Sequence, residues 1–202
     1  MALGTATDPY ELRFDTGRAC LDLLATTHPV ERLDSVAALR AWISGSGLVP
    51  PGTPLAHADA SWLAAFRELR WQTARLVRAR ALRATGPPPG TGRYDLALAR
   101  VNDLARAAPP APRAVRGEDG ALVRELTAPP ECAELTGALA RDAVDLLTDP
   151  VARASLRQCE GDNCPIVYVD TSRGRRRRWC SSEICGNRER VARHRRRAAL
   201  AR

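Results

Sequence analysis

The sequence predicts an α+β chain: a mostly helical N-terminal domain with a small antiparallel sheet, followed by a short four-cysteine module. Three observations carry this expectation. Apolar side chains recur at helical spacing through much of residues 1–150, an Asp-Gly turn joins two short β-like runs, and four of the six cysteines form two equally spaced pairs near the C-terminal end.

In chain order, Tyr10–Phe14 reads as a short strand, and Ala19-Cys20-Leu21-Asp22-Leu23-Leu24 as the start of a helix. Asp34 or Ser35 can cap a second helix with Val36, Leu39, Trp42 and Ile43 on one face, ended by Gly45 and Gly47. The clearest periodicity follows. Trp62, Phe66, Leu69, Thr73 and Leu76 recur at steps of four, three, four and three, the stripe of an amphipathic helix. Asp59 caps it, Gly86 stops it, and Pro87-Pro88-Pro89 forbids continuation, because proline has no N–H and its ring clashes with the turn before it. Another helix follows Asp95 through Leu96, Leu98, Val101 and Leu104, broken by Pro109–Pro112. Ala114-Val115-Arg116 and Ala121-Leu122-Val123 flank Glu118-Asp119-Gly120, a turn able to supply the positive φ angles of a tight hairpin. After Pro129-Pro130 a last helix carries Cys132, Leu135, Leu139, Ala143 and Leu146 on one side and ends near Asp149-Pro150. The expected domains are therefore 1–150 and 151–202.

The first domain is poor in chemistry. His28 and His57 stand alone beside a proline or in a loop, and Cys20 and Cys132 fall on apolar faces, where a free thiol behaves as a small hydrophobe. No Ser/His/Asp order, phosphate-cradling glycine loop or carboxylate pair stands out, so no catalytic residue is assigned and a non-enzyme is expected. At 45% hydrophobic the chain can bury a core, and no apolar run approaches the ~18–20 residues of a membrane span. The N-terminal residues lack the basic start and apolar stretch of a secretion signal, so a cytoplasmic protein away from membranes is expected.

Cys159 and Cys164 are separated by four residues, as are Cys180 and Cys185, with fifteen residues between the pairs. Without a secretion signal, thiols are expected to stay reduced, which weighs against two disulfides. Paired thiols around the strand-like Ile166-Val167-Tyr168-Val169 fit one Zn²⁺ in a closed, structural, tetrahedral thiolate site. Gly161 and Asn163 supply the turn chemistry of a knuckle. Ser181-Ser182-Glu183 can open a helix whose first turn holds Cys185, and its positive end favours thiolate. Knuckle, hairpin and helix predict a treble-clef-like zinc finger with four cysteine ligands. His194, two turns beyond Cys185 among arginines, is the weaker alternative ligand.

The net charge of +8 is unevenly distributed, and every one of the 31 basic residues is arginine. Residues 151–202 hold 14 arginines against five acids, whereas residues 1–150 hold 17 against 18. A GC-rich coding bias accounts for the missing lysines but not for the position of the surplus. Arg173, Arg175, Arg176, Arg177 and Arg178 occupy the loop before Trp179, and Arg188, Arg190, Arg193, Arg195, Arg196 and Arg197 follow the last cysteine on a helix. Like charges one turn apart repel, so packing alone does not account for such a helix. Phosphates would relieve the repulsion, and arginine grips phosphate, or guanine in the major groove, with two parallel hydrogen bonds. The plain alternative is a solvated basic tail. Tyr168 and Trp179 are the module's only aromatic candidates for stacking single-stranded bases, which favours duplex DNA over RNA.

Cys185-Gly186-Asn187-Arg188, preceded by Arg178-Trp179-Cys180-Ser181 and by Tyr168-Val169-Asp170-Thr171-Ser172-Arg173, resembles the CGNR zinc finger over roughly residues 155–200. That family couples its finger to an N-terminal ABATE domain, and Gly17-Arg18-Ala19-Cys20-Leu21-Asp22-Leu23 and Leu39-Arg40-Ala41-Trp42-Ile43 are similar to that domain's opening. The chain departs from the family at Ala25-Thr26, where Asn-Thr is usual, and at Gly174, where Asn is usual. The resemblance implies a zinc-dependent, DNA-binding transcription regulator of the stress response. Gly186 is expected to admit the helix close to the knuckle and Asn187 to bond the knuckle backbone or a sulfur. Asp170 and Trp179 are expected to support the finger, and Arg188 to pair with Asp170 or meet phosphate. The N-terminal domain would sense a small-molecule effector or form a homodimer. The alternatives are an RNA- or protein-binding adaptor, or a small-molecule-binding domain with the finger as a tether.

Overall fold

A computed structural model describes residues 12–81 and 91–200. The elements are α1 (Ala19–Ala25), α2 (Val36–Gly45), α3 (Ala60–Ala81), α4 (Thr91–Leu104), β1 (Pro112–Arg116), β2 (Leu122–Leu126), α5 (Cys132–Thr148), α6 (Pro150–Ala154), β3 (Leu156–Gln158), β4 (Val167–Val169) and α7 (Cys185–Leu200). Strands β1 and β2 pair antiparallel, as do β3 and β4, giving two small separate sheets among the helices. The α+β class is as predicted. Tyr10 and Glu11 of the expected first strand, and the Gly86 stop with Pro87–Pro89, lie outside the described residues; residues 12–15 form no strand.

Side-chain caps set the starts of α2, α3, α5 and α6, whereas α1 has none. Ser35 Oγ accepts the Ala38 amide at 3.1 Å, and Asp59 Oδ1 accepts the amides of Ser61 and Trp62 at 2.8 and 3.2 Å. Glu131 and Glu134 close a reciprocal capping box at the head of α5. The expected end at Asp149-Pro150 also begins a helix. Asp149 caps the Val151 amide at 2.8 Å, and Pro150 sits at the first helical position, where its missing N–H costs nothing.

Helix α3 packs against α1, α4 and α5, and the core gathers around it. Trp42 and Phe66 are fully buried and meet edge to face at 6.1 Å between ring centroids. Leu135, Leu139, Ala143 and Leu146 line the buried side of α5 as expected. Cys20 lies in this core with its thiol pushed up by burial, and half-buried Cys132 is pushed up to about 11 for the same reason. Arg70 forks onto Glu31 at 2.7 and 2.6 Å and donates to Thr26 Oγ1 at 2.7 Å, tying the loop after α1 to α3.

Two local expectations are corrected. Helix α4 starts at Thr91 rather than after Asp95, and it turns Ala97 and Val101 inward, leaving Leu96 71% exposed. In the hairpin only Gly120 takes a positive φ, +80°, and its amide bonds the Gly117 carbonyl, so the connection is longer than a two-residue turn. Among the described residues, no helix is long and apolar enough to cross a membrane.

The finger does not stand apart from this core. Leu156, Val167 and Val169 of β3 and β4 belong to the same buried cluster as α1–α5. The Val169 amide donates to the Thr16 carbonyl at 2.8 Å, joining β4 to the segment ahead of α1.

Candidate metal centre and cationic surface

The knuckle is the turn of the β3–β4 hairpin rather than a unit placed before it. Cys159 follows β3, Cys164 precedes β4, and the Cys159 amide donates to the Ile166 carbonyl at 2.9 Å. Between them the Cys164 amide closes a turn on the Gly161 carbonyl at 3.1 Å, and Asn163 takes a left-handed φ of 57°. Cys180 ends the arginine loop, and Cys185 is the first residue of α7. Ser181 Oγ accepts the amides of Glu183 and Ile184, both at 3.2 Å, and so fixes the approach to that helix.

The four sulfurs lie within 4.8 Å of one another, and all four cysteines are buried. Cys164 and Cys180 are 3.7 Å apart, and Cys180 and Cys185 are 3.6 Å apart. A tetrahedron with zinc–sulfur bonds of about 2.3 Å has edges of about 3.8 Å, so the sulfur cage fits Zn²⁺. No disulfide joins any of the six cysteines. Hydrogen bonding with Cys164 holds Cys159 below the ordinary thiol range, and the same contact pushes Cys164 above it. A bound Zn²⁺ satisfies all four as thiolates. The chain therefore holds one structural zinc through Cys159, Cys164, Cys180 and Cys185. His194 is exposed on α7 and is not among the clustered donors. Amides complete the surroundings: Gly161 and Cys180 donate to the Cys159 sulfur at 3.4 and 3.3 Å.

The expected supporting residues divide. Asp170 is buried and accepts the Ser172 amide and hydroxyl and the Arg177 amide at 2.9, 2.6 and 3.1 Å. Burial pushes its carboxyl up, but these hydrogen bonds prevail and hold it below the ordinary range. Trp179 is half-buried, with the Arg178 guanidinium 5.3 Å above its ring. Gly186 is less crowded than expected. A Cβ there would meet Ser181 O at 3.4 Å and Trp179 at 3.5 Å, ordinary contacts, whereas one on Gly161 would meet the Cys185 Cβ at 3.2 Å. Asn187 is exposed, and among the described residues its side chain bonds neither the knuckle nor a sulfur. Arg188 is likewise exposed and does not pair with Asp170, whose oxygens are taken by Ser172 and Arg177.

The arginines also divide. Arg177 is built into the finger: its guanidinium donates to the carbonyls of Trp179 and Cys180 and lies 4.5 Å over the Tyr168 ring. Arg178 pairs with Glu160 at 2.6 Å, Arg190 donates to the Ser182 carbonyl at 3.2 Å, and Arg196 pairs with Glu189 at 2.9 Å. Arg173, Arg175 and Arg176 in the loop, and Arg188, Arg193, Arg195 and Arg197 on α7, present exposed side chains without an ion pair among the described residues. From Arg193 to Ala199 every residue of α7 is exposed, so this part of the helix projects from the body.

Two contacts that matter here carry no sequence signal. Arg13 reaches the Cys180 sulfur across 167 residues of chain, and Tyr168 donates its hydroxyl to the Arg177 carbonyl at 2.5 Å. Spacing does not distinguish one arginine from the other thirty, and the run that contains Tyr168, read as a strand and a stacking candidate, does not show what its hydroxyl meets.

Comparison with known families agrees with this geometry. The ABATE family model, described as "Putative stress-induced transcription regulator", matches residues 17–150. The CGNR zinc finger model matches residues 155–198. No curated protein matches the chain.

Proposed function

We propose that this chain, which belongs to the ABATE family and carries a CGNR zinc finger, is a zinc-dependent transcription regulator that binds double-stranded DNA through its arginine loop and α7. The observation that carries this reading is the exposure of α7. From Arg193 to Ala199 it is exposed on every side, yet this stretch holds Arg193, Arg195, Arg196 and Arg197. Such a helix gains nothing from packing and is strained by its own charge. An α-helix with side chains is about 10–12 Å across and the B-DNA major groove about 12 Å wide, so the bare helix suits that groove. Arg173, Arg175 and Arg176 would then reach flanking phosphates, with the zinc site holding loop and helix at a fixed spacing.

Single-stranded RNA is the poorer partner. Tyr168 is fully buried, and Trp179 is half-buried beneath Arg178, so neither offers an open stacking face. For the N-terminal domain, an open groove of about 410 Å³ between Pro50–Pro54 and β2, bordered by Arg113, Arg124 and Leu126, is the place for a small effector. Its role is regulatory and not catalytic.

The test is binding of the zinc-loaded full chain to duplex DNA, duplex RNA and single strands across a salt series. With about four to six phosphates neutralised, log K for duplex DNA falls with log salt at a slope of roughly −4 to −5. No binding at low salt, or binding indifferent to salt, overturns the proposal.

A further inference from the structure

The deepest sulfur of the metal centre is also touched by a residue from the opposite end of the chain. Arg13 Nη1 donates to the Cys180 sulfur at 3.3 Å and Nη2 to the Cys180 carbonyl at 3.0 Å. Cys180 is fully buried and lies between Cys164 and Cys185. The Arg13 side chain is itself only 14% exposed, and it is held from behind by Asp15, whose carboxylate oxygens accept from Nη2 at 2.8 and 2.9 Å. The segment bearing these residues is fastened to the finger twice more: the Thr16 carbonyl accepts the Val169 amide at 2.8 Å, and the Asp15 carbonyl accepts from Arg177 at 3.4 Å.

We infer that Arg13 is a positioning residue of the zinc centre, supplied by the segment preceding the N-terminal domain's first helix, so that metal retention and the docking of that segment depend on each other. The chemistry follows from charge. Four thiolates around Zn²⁺ carry a net charge of about −2 in a buried site, and each such charge needs hydrogen bonds or a counter-ion. Arg13 supplies both, and its fork fixes the sulfur and the carbonyl of one residue together, which a point charge cannot do. Groups bonded to metal ligands orient them and tune their basicity, and their loss costs about 10–100-fold in metal affinity. The coupling is reciprocal: whatever the segment contributes to holding zinc, zinc returns in holding the segment.

The experiment uses the full chain with Arg13→Gln, Arg13→Lys and, as a surface control, Arg153→Gln. Zinc loss to excess 4-(2-pyridylazo)resorcinol should be ~10-fold faster in Arg13→Gln, intermediate in Arg13→Lys and unchanged in Arg153→Gln. With cobalt(II) in place of zinc, the sulfur-to-cobalt charge-transfer band should move to lower energy in Arg13→Gln, because a sulfur freed of its hydrogen bond is a better electron donor. A general loss of packing would not shift that band. If Arg13→Gln does not fold, the parent protein carries the test: trypsin should cleave after Arg13 slowly with zinc bound and rapidly once zinc is chelated. Parent-like zinc loss and band position in Arg13→Gln, or equal trypsin cleavage with and without zinc, overturns the inference.

Discussion

The Arg177 guanidinium lies 4.5 Å over the ring of Tyr168, and the Tyr168 hydroxyl donates to the Arg177 carbonyl at 2.5 Å. Side chain and backbone of one arginine thus close around one aromatic, and the same guanidinium reaches the Trp179 and Cys180 carbonyls. This arginine builds the finger, although it sits in the run Arg175–Arg178 with residues that face solvent. Arg177→Ala should therefore destabilise the finger by about 1–3 kcal/mol, from lost carbonyl bonds and the cation–π contact. Arg173→Ala should stay within about 0.5 kcal/mol of the parent. Denaturant unfolding of the zinc-loaded proteins checks both values.

Because Leu156, Val167 and Val169 share the core of α1–α5, zinc removal should be felt beyond the finger. Cys164→Ser leaves a three-sulfur cage and should lose zinc. Amide hydrogens of α1 and α3 should then exchange faster, α3 being in contact with both β3 and β4. A helical domain indifferent to the metal, as a separable finger would leave it, would show unchanged protection there.

The legible parts of the chain are those with a short-range cause. Caps at Ser35 and Asp59, the Trp62–Leu76 stripe and the paired cysteines each depend on residues within a turn or two, so spacing reveals them. The phase of α4 escapes the apolar pattern because its inward face is built on Ala97, a small residue that contributes little to such a pattern, while the larger Leu96 points outward. The division of the arginines is not legible at all. Whether a guanidinium meets solvent, a carboxylate or a carbonyl depends on neighbours that only tertiary structure brings near, and Arg13 with Cys180 is the extreme case.

Asp22 gives the protein a pH dependence of definite sign. Burial raises its carboxyl to about 6 from an ordinary value of 3.8, against the opposing hydrogen bonds from the Thr16 amide and hydroxyl at 3.0 and 2.8 Å. A carboxyl whose folded value is raised penalises folding once ionised. Its contribution is least unfavourable below about 4 and worsens as pH rises to about 6. Melting temperatures of Asp22→Asn should lack this fall between pH 4 and 6. A parent and variant falling in parallel would assign the dependence elsewhere.

On the proposed DNA surface, α7 offers opposite changes from neighbouring residues. Arg193→Ala and Arg197→Ala each remove an exposed charge and should make the salt slope shallower by about 1. Glu189→Gln frees Arg196 from its 2.9 Å ion pair and removes a negative charge, so it should tighten duplex binding and steepen the slope. Titrations at four or more salt concentrations separate these effects from a general loss of folding, which lowers binding without this order.

The two glycines flanking the metal should respond oppositely to a methyl group. A Cβ on Gly161 would stand 3.2 Å from the Cys185 Cβ, 3.3 Å from its sulfur and 3.4 Å from the Cys159 sulfur. Zinc fixes both sulfurs, so neither can give way without distorting the tetrahedron. A Cβ on Gly186 meets only ordinary contacts at 3.4 and 3.5 Å, and in the first turn of α7 alanine is preferred over glycine by about 0.5–1 kcal/mol. Gly161→Ala should then release zinc to a chelator about tenfold faster, while Gly186→Ala should retain zinc like the parent and unfold at equal or higher denaturant. The reverse ranking would mean that the helix, and not the knuckle, sets the tightness of the cage.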